Sequence, residues 1–162
     1  MPLLDPILPV GSATLVKWGK LYGAAAPLAI AEAAAKAAAP LVVIAPSPRD
    51  AEALSEEIGF FAGSKNSVHL FPDLETLPYD GFSAHPDITS ARLKTLAELP
   101  RSRGGVWVVA IETLLQRLAP RSYIEAHSLK VHVGERLDLE ALRERLTLAG
   151  YAAVTQDRKS VV

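Results

Sequence analysis

Cysteine is absent from the 162-residue sequence, which excludes disulfides, thiolate nucleophiles and cysteine-ligated zinc. A strong charge of either sign is also missing, since 17 Lys and Arg oppose 18 Asp and Glu for a net charge of −1. No global charge therefore favours nucleic acid or an anionic membrane. The four histidines are scattered without metal-ligand spacing: His69, His85, His127 and His132. The sequence predicts no metal site.

A long uninterrupted apolar run is missing as well. The most apolar stretch, residues 21–45, is rich in alanine and is interrupted by two prolines and two charges: Pro27, Glu32, Lys36 and Pro40. This pattern favours a soluble helix followed by a strand over a membrane span. The first basic side chain is Lys17, so the N-terminus does not resemble a secretory signal. We expect a cytoplasmic protein without membrane contact.

Apolar residues make up 49% of the chain and charged residues 22%, as in ordinary globular domains. Leu41–Ala45 and Val106–Ala110 are short continuous apolar runs, which predict central strands buried on both faces of a parallel sheet. Ser67–Leu70 predicts a further strand. Helices are predicted in four intervening segments: 24–39, 48–61, 87–99 and 112–118. This alternation predicts a three-layer α/β domain.

Capping residues predict where two of these helices begin. Ser47 before Pro48 is typical of an N-cap followed by a first-turn proline. Asp87 is predicted to cap the helix that runs to about Leu99. The buried side of that helix is predicted to include three apolar residues: Ile88, Leu93 and Leu96.

The pattern changes after Tyr123. Ser128–Val133 alternates as a strand does, Leu137–Ala149 is an amphipathic helix, and Tyr151–Val154 begins another strand. We predict an N-terminal extension (1–20), an α/β domain (21–127), the incomplete beginning of a second small α+β domain (128–156) and a tail (157–162).

Gly23 lies before the first helix, where a P-loop would bind phosphates. A P-loop needs glycines, a lysine and a Ser or Thr hydroxyl, but Gly23 is followed by Ala24, Ala25, Ala26 and Pro27. Pro27 also removes one N–H from the helix start. No acidic pair that could hold magnesium follows a predicted strand. The sequence predicts a P-loop-like fold whose nucleotide chemistry is lost, with no catalytic residue and no cofactor.

Residues 71–87 form a long irregular connection that contains Asp80, Ser83 and His85. No strained strand-to-helix elbow surrounds Ser83, which argues against a catalytic triad. For His85 we favour a hydrogen bond that braces the loop near a helix N-terminus over a metal or acid–base role. Four arginines are interpreted as solvated surface charge, with a basic edge as the alternative: Arg101, Arg103, Arg117 and Arg121.

The segment Pro72–Leu93 has an unusual sequence for which a chance match to another family is implausible. Two further segments match in the same way: Leu41–Pro46 and Gly105–Arg117. Together these segments closely resemble the N-terminal region of bacterial transcription-repair coupling factors over about residues 20–155. The signature positions are Pro78, Tyr79, Asp80, Phe82, Ser83, His85, Asp87 and Arg92.

This resemblance implies a degenerate helicase-like domain, similar to domain 1a of the excision-repair subunit UvrB, with an inserted domain that docks the damage sensor UvrA. The parent protein would be an ATP-dependent DNA translocase that removes stalled RNA polymerase. The resemblance thus implies a non-catalytic module whose partners are UvrA and the parent's motor portion, with RNA polymerase and DNA reached through the parent. ATP and Mg²⁺ would act only in that motor.

Two alternatives remain open at this point. The chain could be an active P-loop ATPase or helicase that binds ATP and damaged DNA, or a free-standing adaptor for UvrA or the motor. The missing lysine after Gly23 argues against the first alternative. The adaptor would need a complete second domain.

Three departures from the family pattern are visible. Ser83-Ala84-His85 replaces the family's Ser-Pro-His. Asp80 runs on directly to the helix at Ile88, which leaves no room for the DNA-clamping β-hairpin that UvrB carries there. Asp157–Val162 fits no family pattern and matches one reading frame of a common sequencing adapter, so we expect a non-native tail.

Overall fold

The structure is a computed structural model that describes residues 3–11, 14–64, 66–76, 79–126 and 133–148. The chain divides into two compact units, 1–124 and 125–162. Its helices are α1 (Ala25–Lys36), α2 (Pro48–Ala62), α3 (Pro86–Glu98), α4 (Ile111–Leu114), α5 (Arg121–Ala126) and α6 (Leu139–Leu148). Its strands are β1 (Leu41–Ala45), β2 (Val68–Phe71) and β3 (Val106–Ala110).

The three strands form one parallel sheet in the order β1-β3-β2. Val106 of β3 lies opposite Leu41 of β1 on one side and opposite Val68 of β2 on the other. All five residues of β3 are buried, as its continuous apolar run predicted. The α/β class and the parallel sheet are confirmed.

One face of the sheet packs against α2, and α1 packs against α2 in turn. The helix α2 begins as predicted, because Ser47 Oγ accepts a hydrogen bond from the Asp50 amide at 3.2 Å. Small side chains let the two helices approach closely, and the shared core combines nine buried residues: Ala31, Ala34, Ala45, Ala51, Ile58, Ala62, Val106, Val108 and Ala110.

The opposite face of the sheet is covered unevenly. Trp107 is buried there, and the His69 ring stacks on its indole with a centroid distance of 4.1 Å. Val42 and Ile44 of β1, in contrast, are 57% and 52% exposed. The prediction that β1 is a central strand buried on both faces is wrong within the described residues, where β1 is an edge strand.

The start of α3 differs from its prediction. The N-cap is His85 rather than Asp87, because His85 Nδ1 accepts a hydrogen bond from the Asp87 amide at 3.3 Å. Asp87 lies in the first turn, where a carboxylate stabilises the positive end of the helix dipole. The predicted helix at 112–118 is also shorter, since α4 ends at Leu114.

The buried side of α3 was predicted wrongly at one position. Leu93 is exposed, and the buried positions are Arg92 and Thr95, while Ile88 and Leu96 are half-buried. The physical reason is local, because the long Arg92 side chain packs over the Phe71 ring of β2 and donates a hydrogen bond to the Pro72 carbonyl.

A carboxylate of α1 holds the first described segment of the chain. Glu32 accepts hydrogen bonds from the amides of Leu3, Leu4 and Asp5, and Lys36 pairs with Asp5. Desolvation would raise the pKa of Glu32, but these three amides and Lys36 outweigh it and lower the pKa. Within residues 3–11 and 14–20 there is no helix or strand.

In the second unit, α6 confirms the helix predicted over 137–149. Asp138 Oδ1 accepts hydrogen bonds from the amides of Glu140 and Ala141 at 3.0 and 3.2 Å, which fixes the helix start. Leu139, at the start of this helix, is exposed. The predicted strand 128–133 (except its last residue), the strand at 151–154 and the tail 157–162 lie outside the described residues.

None of the helices in the described ranges combines the length and the apolar character that crossing a membrane requires.

Candidate functional site

The start of α1 is where a nucleotide would be bound if the P-loop were intact. Gly23 has a left-handed backbone with φ of +55°, and Ala24 caps the helix without a side-chain hydrogen bond. Ala25 and Ala26 form the first turn and are half-buried. Residues 14–22 contain no strand, so the strand that precedes a phosphate-binding loop is missing from this part of the described chain.

The amides of that first turn are largely occupied or absent. The Ala25 amide donates to the Tyr22 carbonyl and the Leu28 amide to the Ala24 carbonyl, both at 3.2 Å. Pro27 has no N–H and is buried. A phosphate placed here would meet one free helix amide and no cationic side chain from residues 23–27.

A second candidate site lies at the carboxyl ends of β2 and β3, where parallel α/β sheets usually bind ligands. Asp73 Oδ1 accepts hydrogen bonds from Thr113 Oγ1 at 2.7 Å and from Gln116 Nε2 at 2.8 Å. Asp73 Oδ2 accepts the Glu75 amide at 3.0 Å. Desolvation would raise the pKa of Asp73, but the hydrogen bonds, that from Thr113 foremost, outweigh it and lower the pKa.

Arg92 contacts the two residues that precede Asp73, namely Phe71 and Pro72. Its side chain is only 6% exposed, its guanidinium lies over the Phe71 ring at 4.3 Å, and its Nη1 donates to the Pro72 carbonyl at 2.6 Å. Burial lowers the pKa of Arg92, and the attraction of Asp73 opposes that shift. Asp73 and Arg92 thus tie the first residues after β2 to α3 and α4.

The signature residues do not converge on one chemical centre. Tyr79 and Phe82 are 99% and 84% exposed, and Asp80 and Ser83 are exposed too, whereas Arg92 is buried. Pro78 lies outside the described residues.

His85 has the bracing role that was favoured from the sequence. Its Nδ1 accepts the Asp87 amide and lies 3.6 Å from Asp87 Oδ2. That nitrogen is therefore engaged at the start of α3. The four arginines singled out from the sequence are all exposed, which fits solvated surface charge.

Sequence patterns did not single out Asp73, Thr113 or Gln116 as a group. Asp73 is 40 and 43 residues away from its two partners along the chain. The available signal was topological, because polar residues that follow parallel strands meet at one edge of the sheet. In the described residues, no three His, Asp or Glu side chains are grouped as metal ligands.

The fold and this site define a parallel-sheet α/β module with an anchored connection after β2, in which residues 23–27 lack the lysine and hydroxyl of a P-loop. Sequence comparison places it more closely. The chain is 44% identical over 149 residues to the transcription-repair-coupling factor of Escherichia coli (strain K12), which covers 92% of this chain and 13% of that protein.

Two further relatives agree with this. The chain is 40% identical over 138 residues to the transcription-repair-coupling factor of Haemophilus influenzae (85% of this chain, 12% of the relative). It is 32% identical over 119 residues to that of Myxococcus xanthus (70% and 10%). No family model matches the chain. The chain belongs to the transcription-repair-coupling factor family and spans about an eighth of the length of these curated relatives, at their N-terminal part.

Proposed function

We propose that this chain is a non-catalytic module of a transcription-repair coupling factor and that it serves as a scaffold for docking UvrA. In this proposal the fold is a degenerate, UvrB-like helicase domain, and ATP and Mg²⁺ act only in a motor elsewhere in the parent translocase. RNA polymerase and DNA are contacted through that parent, in the cytoplasm. The observation that carries the proposal is the start of α1, where Pro27 and three alanines replace the groups that bind a triphosphate.

We expect the chain not to bind Mg²⁺-ATP. A helix dipole stabilises an anion by only about 0.3–1 kcal/mol, whereas micromolar affinity needs about 8 kcal/mol. Isothermal titration of the 162-residue chain with Mg²⁺-ATP should give the same heats as titration with buffer. Saturable, magnesium-dependent ATP binding, together with ATP turnover, that disappears in Gly23→Val would instead favour the alternative, an active P-loop ATPase.

The docking role is tested with purified Escherichia coli UvrA on the immobilised 162-residue chain. We expect binding that saturates as the UvrA concentration rises. The E. coli coupling factor should compete for the same UvrA, since the chain is 44% identical to part of it. No binding, or binding that the coupling factor does not compete away, contradicts the docking proposal and leaves the result of the ATP titration unaffected.

A further inference from the structure

Two aromatic side chains of the segment 79–85, here called the aromatic loop, lie outside any core. Tyr79 is 99% and Phe82 is 84% exposed. Such rings normally bury about 150–250 Å² each, so two of them exposed to water three residues apart leave a large apolar area that a bound partner could cover. Exposed Tyr and Phe are enriched at protein–protein interfaces, where aromatic residues often carry most of the binding energy.

Described residues on both sides of the aromatic loop are anchored. Upstream, at the start of the connection after β2, the Asp73 carboxylate is fixed by Thr113 and Gln116, and Arg92 holds the Pro72 carbonyl. After it, His85 caps α3. Anchoring of this kind reduces the conformational entropy that a binding loop loses when it is ordered, which favours a presented binding element over an unstructured connection.

The charge around the aromatic loop selects the class of partner. Residues 74–91 contain three acidic side chains and no Lys or Arg: Glu75, Asp80 and Asp87. Binding to DNA or RNA depends on Lys and Arg that neutralise phosphates, so an acidic segment repels nucleic acid. Proteins that stack aromatic side chains on nucleic-acid bases also have a positively charged groove for the phosphates. Residues 74–91 have no Lys or Arg that could form such a groove. A protein surface with Lys and Arg is the complementary partner.

We propose that the aromatic loop is a docking element for a protein surface that offers apolar pockets rimmed by Lys and Arg. Tyr79 and Phe82 fill the pockets, and the net negative charge of residues 74–91 is complementary to the rim. The proposal goes beyond the scaffold role above, because it assigns residues and partner chemistry and does not depend on UvrA being the partner.

The test places the photo-crosslinking residue p-benzoylphenylalanine at position 82 of the 162-residue chain. The probes are purified E. coli UvrA, RNA polymerase and coupling factor, and single- and double-stranded DNA oligonucleotides. Position 60 is the matched control, since Phe60 is also 82% exposed but lies on α2. We expect position 82 to crosslink to one of the proteins at least about tenfold more than position 60, at a segment that contains Lys or Arg.

The same protein should bind the double variant Tyr79→Ser/Phe82→Ser at least about tenfold more weakly, because interface aromatics dominate affinity. Phe60→Ser should leave that affinity within about twofold, and the double variant should unfold at an unchanged urea midpoint because both rings are exposed. Crosslinking to DNA, or equal crosslinking at both positions, overturns the inference. If UvrA binds the chain but position 82 stays uncrosslinked to every protein, the aromatic loop proposal fails and the proposed UvrA docking stands.

Discussion

Replacing Gly105 with alanine is expected to lower the free energy of unfolding by about 2–4 kcal/mol. Gly105 has φ of +92°, a conformation that side chains other than glycine rarely adopt. An added Cβ would lie 2.8 Å from the Ser67 carbonyl oxygen. That oxygen cannot move away freely, because it accepts the Val106 amide at 2.9 Å and so connects β2 to β3. Urea unfolding of the variant should show a lower midpoint at an unchanged slope.

Gly104 provides the matched control one residue away. Its backbone is not in the left-handed region, and an added Cβ would meet no atom within 4 Å. Gly104→Ala should therefore change the free energy of unfolding by no more than about 0.5 kcal/mol. Equal effects of the two substitutions would contradict the assignment of the loss to the close approach of Gly105 and Ser67.

The second large effect is expected at Asp73. Asp73→Asn removes the charge that Thr113 and Gln116 hydrogen-bond and that attracts the buried Arg92, so at pH 7 we expect a loss of about 1–3 kcal/mol of stability. Because the folded-state pKa of Asp73 is lowered, its contribution is fully present above the unfolded-state value of about 3.9 and is lost as pH falls through the folded-state pKa. Urea unfolding of the parent and the variant as a function of pH measures this difference.

The two stability curves should therefore lie apart at pH 7 and converge in acid. Asp87→Asn is the control, since the Asp87 side chain is 92% exposed and its nearest partner is a largely exposed histidine. If the free energies of unfolding of the parent and of Asp73→Asn differ as much at pH 2 as at pH 7, the shape of the Asp73 side chain rather than its charge stabilises its surroundings.

Local patterns predicted the strands and most of the helices because burial of short apolar runs and capping chemistry act over a few residues. The same patterns could not show that β1 is an edge strand. A run such as Leu41–Ala45 is equally apolar whether one or both of its faces are covered, and Val42 and Ile44 are exposed here because nothing in the described residues lies over them.

The candidate site was only partly predictable for a related reason. Residues 23–27 and the signature residues each lie within one short segment of the sequence, so a local pattern can identify them. The hydrogen bond of His85 was predicted from its position just before a helix. The sequence did not predict the group around Asp73, because Thr113 comes close to Asp73 only when β2 and β3 pair. Arg92 was missed as a buried residue because periodicity assigns the core to Leu93, while the Phe71 ring and the Pro72 carbonyl stabilise a buried guanidinium.

The strand order β1-β3-β2 also constrains how the chain can fold while it is being synthesised. β1 and β2 are not neighbours, so within the described residues the strand that each of them pairs with is β3, and pairing waits until β3 has left the ribosome. Leu41 pairs with Val106, which is synthesised about 65 residues later. At bacterial elongation rates of about 5–20 residues per second, synthesis of those residues takes about 3–13 s. During that time β1, and β2 once it has been synthesised, is an unpaired segment that the helices can shield. A translational pause between Phe71 and Val106 would lengthen this exposure, which makes the codons of that connection a determinant of how much chain aggregates before its sheet can close.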